Sequence, residues 1–433
     1  MQFKKYPSYK NSGVEWLGVV PEHWGVNRFC YLFDENKKKN IGLQETNVLS
    51  LSYGNIKEKN INDNKGLLPE SFETYQIIES NDIVFRFTDL QNDKRSLRSA
   101  ISKYHGIITS AYIAVKTKEN ADFYNYLFRA YDLQKVFYSM GEGMRQSLKM
   151  DELNKMPVVL PSKDEQKRIV SFLDTETARI DNLIAKQEKL IELLEEQRKS
   201  IISHAVTKGL NPNAPMKDSG VEWLGQVPEH WNISKLRYYL DGIKDGTHGT
   251  HVSTTEGQLL LSGKNIKNGK LVITDNERKI SLEDHQKITA NGFPKKGDLL
   301  INVVGTIGQS CIYELDTPIS FQRSVCFLRA NNKLKPNFLQ RILESNLSQN
   351  QLKILTNKST IGGVYMGDLV ELIIPVVPIK EQNKITDYLD REIQEIVNCI
   401  DKQKLLIEKL KEYRSSIISH AVTGKIDVRE FDA

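Results

Sequence analysis

The chain has no run of eighteen apolar residues, so it lacks a candidate helix for crossing a bilayer. The opening stretch MQFKKYPSYKNSGVEW also lacks the apolar core of an export signal. Four cysteines (Cys30, Cys311, Cys326 and Cys399) show neither the paired spacing of a metal site nor a disulfide framework, which suits a reducing compartment. The expected location is the cytoplasm. No Gly-rich loop ends in Lys-Ser or Lys-Thr, so P-loop nucleotide hydrolysis is unsupported. No Pro-Pro pair occurs, so the Asn/Asp-Pro-Pro-aromatic run of an amino-methyltransferase is missing. Charge of one sign is scarcely in excess: 60 Lys+Arg against 55 Asp+Glu leave +5, which permits a nucleic-acid partner without demanding one.

What the chain does have is repetition. Glu165-Gln166 through Ser200-Ile201-Ile202-Ser203-His204-Ala205-Val206-Thr207 returns as Glu381-Gln382 through Ser416-Ile417-Ile418-Ser419-His420-Ala421-Val422-Thr423, with one offset at both ends. In the first copy Ile169, Leu173, Glu176, Ile180, Leu183, Gln187, Leu190, Leu194, Gln197 and Ile201 follow alternating steps of four and three, the seam of a coiled coil. Ile385, Leu389, Glu392, Ile396, Cys399, Gln403, Leu406, Leu410, Tyr413 and Ile417 hold the same places in the second. Some forty residues at about 1.5 Å each give a helix of roughly 60 Å. A helix that long with one apolar stripe needs a partner, and its twin is the candidate. The residues expected to pair are Leu173, Leu183, Gln187, Leu190, Leu389, Gln403, Leu406 and Leu410. The matched glutamines near each midpoint are candidates for fixing register.

A second repeat precedes each half. Ser12-Gly13-Val14-Glu15-Trp16-Leu17-Gly18 with Val20-Pro21-Glu22-His23-Trp24 returns as Ser219-Gly220-Val221-Glu222-Trp223-Leu224-Gly225 with Val227-Pro228-Glu229-His230-Trp231. The offset here is smaller than for the helices, so the second intervening segment is the longer one. Those segments are poorly related in sequence. Strand-like runs at 47–53, 82–87 and 107–115 precede a helix-like stretch at 121–138. Runs at 258–262, 298–304 and 324–328 precede another at 336–354. Each half is expected to be an α+β domain. The resulting layout is a domain at 1–160, a helix at 161–208, a domain at 209–377, a helix at 378–424 and a tail at 425–433. Pro157, Pro161, Pro375 and Pro378 punctuate the chain just before each helix.

No convincing active site is present. Asp275, Glu277 and Lys279 faintly suggest a nuclease carboxylate cluster. Asp245-Gly246-Thr247-His248-Gly249-Thr250-His251 is the most metal-like run, although a polar loop facing a partner is the better reading. Basic and amide-rich loops are more informative, because Arg, Lys, Asn and Gln bond base edges while Ser, Thr and Lys also hold phosphates. The candidates for DNA contact are Arg86, Gln91, Asn92, Lys94, Arg95 and Arg98 in the first half. In the second half they are Thr247, His248, Lys264, Asn265, Gln322, Arg323, Ser324 and Lys358.

The two duplicated blocks, in this order, resemble the specificity subunit of type I restriction-modification systems, and the resemblance covers nearly the whole chain. Asp245-Gly246-Thr247-His248, Asn265-Ile266-Lys267-Asn268-Gly269, Gly297-Asp298-Leu299-Leu300 and Gly305-Thr306-Ile307-Gly308 resemble recurrent family motifs. The first half departs from them, with Asn81-Asp82-Ile83-Val84 and no Asp-Gly-Thr-His. The resemblance implies a non-catalytic DNA reader without a cofactor of its own. Two α+β target-recognition domains would each bind half of a bipartite site on double-stranded DNA. The two long helices would pack as an antiparallel coiled coil in an internal pseudo-two-fold repeat, set the spacer, and dock two methyltransferase subunits that carry S-adenosylmethionine. Endonuclease/translocase subunits would complete the complex. The alternatives are a single-chain restriction-modification enzyme built on Asp275, Glu277 and Lys279, and a coiled-coil scaffold that does not bind DNA.

Overall fold

The computed structural model describes residues 3–60, 69, 71–88, 97–140, 147–290, 292–358 and 362–431, and the statements below concern these residues. The chain divides into two compact units, Met1–Gln187 with Leu405–Ala433, and Glu188–Lys404. Each repeated helix therefore gives one half to each unit.

The first unit is built on an antiparallel sheet in the order Phe33–Glu35, Ile113–Thr117, Ile83–Phe85, Ser99–Ile101. Its central strand Ile83–Phe85 is buried along its length, as a short β-branched and aromatic run should be. Helix Ala121–Leu133 begins where the Asn120 side chain accepts the Phe123 N–H at 3.1 Å, a helix cap. Phe123, Tyr124, Leu127, Phe128 and Tyr131 then form its buried face. The second unit repeats the order with Leu240–Asp245, Val325–Ala330, Leu299–Asn302, Ser310–Ile312. Helix Pro336–Glu344 takes the corresponding place, with proline in its first turn and Phe338, Leu339, Ile342 and Leu343 buried.

Three expected elements are divided. The run 107–115 is two strands, Gly106–Ile108 and Ile113–Thr117, separated by a turn closed by Tyr112 N–H to the Thr109 carbonyl at 3.2 Å. The stretch 121–138 ends as a helix at Leu133, and Lys135 at φ 62° reverses the chain before Val136–Met140. The stretch 336–354 breaks at the fully buried Ser345, whose extended backbone (ψ 153°) separates Pro336–Glu344 from Asn346–Lys358. Propensity alone does not register a single non-helical residue between two helices.

The long helices run Lys163–Lys208 and Ile379–Val422. Within the first unit they are antiparallel: Arg414 binds the Asp181 carboxylate at 2.8 and 3.1 Å, while Arg168, earlier in its own helix, bonds the carbonyl of Arg429 at 2.5 Å. Ile169, Leu173 and Ile180 share a core there with Ile417, Ile418 and Ala421. Ile202, Ala205 and Val206 share the second unit's core with Ile385 and Leu389.

The stripe corrects the expected seam in its middle. Leu173 and Leu389 are fully buried, and Leu183, Gln187, Gln403 and Leu410 are half-buried, but Leu190 and Leu406 are 37% and 42% exposed. Ile407, one residue on, is 8% exposed, and Ile191 is half-buried. A helix of 3.6 residues per turn drifts away from a strict 3.5-residue repeat, so the buried line shifts by one position over this length.

The repeated lead-in motif has a mechanical role in both units. Glu165 is buried where Tyr6 donates to it at 2.8 Å and His23 Nε2 meets it at 3.0 Å; Glu381 meets His230 Nε2 at 2.7 Å. The neighbouring glutamines are fully buried and bridge to the sheet domain. Gln166 accepts the Asn120 N–H at 3.1 Å, and Gln382 accepts the Lys335 N–H at 2.8 Å. The motif also holds the end of the other helix, because buried Trp24 lies against Gly424 and buried Trp231 against Gly209. Lys425 donates to the carbonyls of Leu17 and Val19, and Lys208 to those of Leu224 and Gln226. The sequence order is Lys208-Gly209 in one copy and Gly424-Lys425 in the other, yet each lysine reaches the same loop.

Candidate nucleic-acid interface

In the second unit three loops distant in sequence meet at one edge of the sheet. Strand Leu240–Asp245 leads into Gly246, whose missing side chain matters: a Cβ there would lie 2.2 Å from the Phe321 carbonyl oxygen and 2.3 Å from that of Gln322. This closeness lets Thr247 pair with Gln322. The Thr247 N–H donates to the Phe321 carbonyl at 2.7 Å, and the Arg323 N–H to the Thr247 carbonyl at 3.0 Å. The third loop joins through the Gly263 N–H, which the Ser324 hydroxyl accepts at 3.1 Å, and the Gln322 N–H, which the Leu261 carbonyl accepts at 2.8 Å. Thr247, Lys264, Asn265, Gln322, Arg323 and Ser324, from three stretches separate in sequence, thus fall on one patch.

Their exposure divides them into two kinds. Arg323 and His248 are exposed, and Thr247, Gln322 and Ser324 are half-buried. His248 Nε2 lies 2.5 Å from the Asp245 carboxylate. Asn265 is 2% exposed, and its amide is consumed internally, accepting the Ser262 N–H at 3.0 Å and donating to the Val272 carbonyl at 3.0 Å. It shapes the loop that presents Lys264. Lys264 projects outward but is tied at 2.9 Å to Glu277. The Lys264 ammonium and then the Thr274 hydroxyl hold the Glu277 carboxyl down, at about 2. Lys358 closes helix Asn346–Lys358, and its side chain lies outside the described residues.

In the first unit Arg86 is half-buried at the end of the central sheet, where its N–H donates to the Arg98 carbonyl at 2.8 Å. Arg98 is internal, at 0% exposure, which corrects its assignment to a DNA-contacting surface. Its guanidinium donates to the Thr88 carbonyl at 3.1 Å and lies over the Tyr138 ring, and its N–H donates to Asp132 at 2.7 Å. A basic residue this well satisfied belongs to the interior of the fold. Gln91, Asn92, Lys94 and Arg95 lie outside the described residues.

The chemical readings fare differently. Of the suggested nuclease residues, Glu277 is engaged by Lys264 and Thr274, Asp275 is exposed, and Lys279 belongs to strand Lys279–Ile280. Among the described residues no group of three or more His, Cys, Asp or Glu could hold a metal ion. No helix of the described residues is long and apolar enough to cross a membrane. Sequence reasoning missed Thr306, which accepts from the buried Asn302 amide at 2.7 Å, and Arg278, which donates to Ser253 at 3.1 Å and to the His251 carbonyl. It also missed Asp284 beside His251. Contacts remote in sequence bring Arg278 and Asp284 to His251.

Residues 100–193 and 254–409, more than half of the chain, match the family model described as type I restriction modification DNA specificity domain. The type I restriction enzyme MjaVIII specificity subunit of Methanocaldococcus jannaschii is 26% identical over 449 residues, covering 100% of this chain and 99% of the relative. The EcoBI specificity subunit of Escherichia coli is 25% identical over 284 residues, covering 62% and 58%. Among solved structures, one from work on complex assembly and conformational transition of the type I R-M system superposes with a TM-score of 0.70 at 17% identity, covering 93% of this chain and 98% of that one. The HsdS subunit from Thermoanaerobacter tengcongensis superposes at 0.53 with 17% identity, covering 94% and 98%. With the family model matched in both units and relatives along its full length, the chain belongs to the type I restriction-modification specificity subunits.

Proposed function

We propose that this subunit reads a bipartite sequence on double-stranded DNA, one half per sheet domain, and leaves methylation and cleavage to partner subunits. The observation that carries this reading is the convergence of the 246–251, 262–265 and 322–324 loops. Together they present an arginine, a lysine and amide and hydroxyl groups at one sheet edge. Such side chains suit base edges and phosphates. The long helices serve as the spacer between the two readings and as the seat for methyltransferase subunits, which bring S-adenosylmethionine; endonuclease/translocase subunits join that assembly. Half-sites on DNA repeat at roughly 34–36 Å per turn, and a rod of roughly 60 Å is of that order.

Binding of the subunit with its methyltransferase to random and target duplexes, across a salt series, tests this. Strong salt dependence with a preference for one split sequence is expected. Sequence-indifferent binding contradicts the role. Arg323→Ala should lower affinity about tenfold or more and relax one position of one half-site. Uniform weakening on all sequences would place Arg323 on a phosphate instead.

A further inference from the structure

Thr247 stands at the centre of the patch, and its hydroxyl is not free to choose its role. The Thr247 Oγ1 accepts the Gly249 N–H at 3.1 Å and lies 2.9 Å from His251 Nε2. The other ring nitrogen, Nδ1, is enclosed and makes no hydrogen bond among the described residues; the charged group beside it is the Asp284 carboxylate, 3.3 Å away. Asp284 is fixed in the first turn of helix Leu282–Ala290, where its N–H donates to the Ser281 hydroxyl at 3.1 Å. His251 is fixed at its backbone, whose carbonyl accepts from Arg278. The imidazole thus has a carboxylate beside one ring nitrogen and bonds a hydroxyl with the other.

The negative charge of Asp284 favours a proton on the ring nitrogen it faces, so in a neutral imidazole the proton sits on Nδ1 and Nε2 is left as an acceptor. The Thr247 hydroxyl must then donate its hydrogen to His251. A hydroxyl has one hydrogen and two lone pairs, and here the hydrogen and one lone pair are committed. A single acceptor site remains. Resting on the DNA-reading role proposed above, we propose that His251 and Asp284 are positioning residues that make Thr247 an obligatory acceptor toward one base edge. On the major-groove edge the base read there offers an exocyclic amine, adenine or cytosine on the contacted strand, and not the keto oxygen of thymine or guanine.

The test uses the subunit with its methyltransferase and a set of duplexes carrying each base at each position of the target. Asp284→Lys replaces an acceptor by an ammonium that only donates, which forces Nδ1 to accept and Nε2 to carry the proton. The Thr247 hydrogen is then released. One position in one half-site should change preference from an amine-bearing to a keto-bearing base by about tenfold, a single well-placed hydrogen bond. Thr247→Val should flatten that position, and Asp284→Lys added to it should produce no shift. Retention of the wild-type preference by Thr247→Val, or persistence of the shift without the hydroxyl, overturns the proposal while leaving the DNA-reading role standing. A complex with no sequence preference at all removes that role first. If Asp284→Lys impairs folding, the ¹⁵N shifts of the His251 ring in the wild-type subunit decide. An unprotonated Nε2 at neutral pH is expected, and a protonated one overturns the relay.

Discussion

The two sheet domains have the same strand order and connect to their long helices through the same clamp, yet their interiors are made of different side chains. The first is aromatic: Phe128 contacts the rings of Phe29, Phe33, Phe85, Tyr124 and Tyr131, and Phe87 stacks on Phe85. The second is mainly aliphatic, with Leu299, Ile301, Leu328, Leu339, Ile342 and Leu343 at its centre. One architecture tolerates both because a core needs volume and pattern more than particular residues. The loops at the sheet edge are then free to differ, as the proposed pair of DNA readings requires.

The largest expected effect separates the two kinds of core. Phe128→Ala should destabilise the first unit by about 3–5 kcal/mol, and Phe128→Leu should recover only part of this, because ring–ring contacts contribute about 0.5–1.5 kcal/mol beyond burial. Calorimetry would show this. Equal stability of Phe128→Leu and wild type would mean that the aromatic character is incidental.

A second contrast lies in equivalent turn aspartates. Asp298 accepts the Lys295 N–H at 2.7 Å and pairs with Arg329 at 2.7 and 3.0 Å. Asp82 accepts the Glu79 N–H at 3.0 Å and the Asn36 amide at 3.1 Å, while the nearby Lys116 ammonium is paired with Glu79. Burial accordingly pushes the Asp82 carboxyl above the usual carboxylate range. The native state then binds the proton more tightly than the unfolded chain, so the first unit loses stability as pH rises from the ordinary Asp value through the raised one. Asp298→Ala should cost about 2 kcal/mol, because it leaves a half-buried guanidinium without its partner. Asp82→Asn should instead raise the melting temperature, more at pH 7 than at pH 4. A gain independent of pH would reject the ionisation argument.

The smallest effect concerns Glu277. Its carboxyl is held at about 2 by Lys264 and Thr274, so it adds stability above the ordinary Glu range that is lost as pH falls through about 2. Lys264 projects into solvent, so the contribution should be below about 1 kcal/mol. Glu277→Gln should remove that acid dependence from the second unit. Loss of DNA cleavage or methylation chemistry in the assembled complex, with affinity intact, would revive a catalytic role for this residue.

Much of this molecule was legible in the sequence. The duplicated heptad located both helices to within two residues at each end, and the repeated Val-Pro-Glu-His-Trp marked the element that clamps them. The shared topology of the two domains was not legible, because aromatic and aliphatic cores satisfy one strand pattern without sequence likeness. In the interface, the residue types of Thr247, Gln322, Arg323 and Ser324 drew notice, but their adjacency depends on the pairing of Thr247 with Gln322. Arg98 and Asn265 resemble surface residues in composition, yet each spends its polar atoms inside the protein. Exposure and local partners, not residue type, separate a contact residue from the one that supports it.

Each unit is proposed to read its own half of the target. The direct measurement is the sequence motif methylated by the assembled complex after residues 232–374 are replaced by the corresponding segment of another specificity subunit. One half of the motif should change while the other half and the spacer length persist. A change in both halves, or in neither, would contradict it.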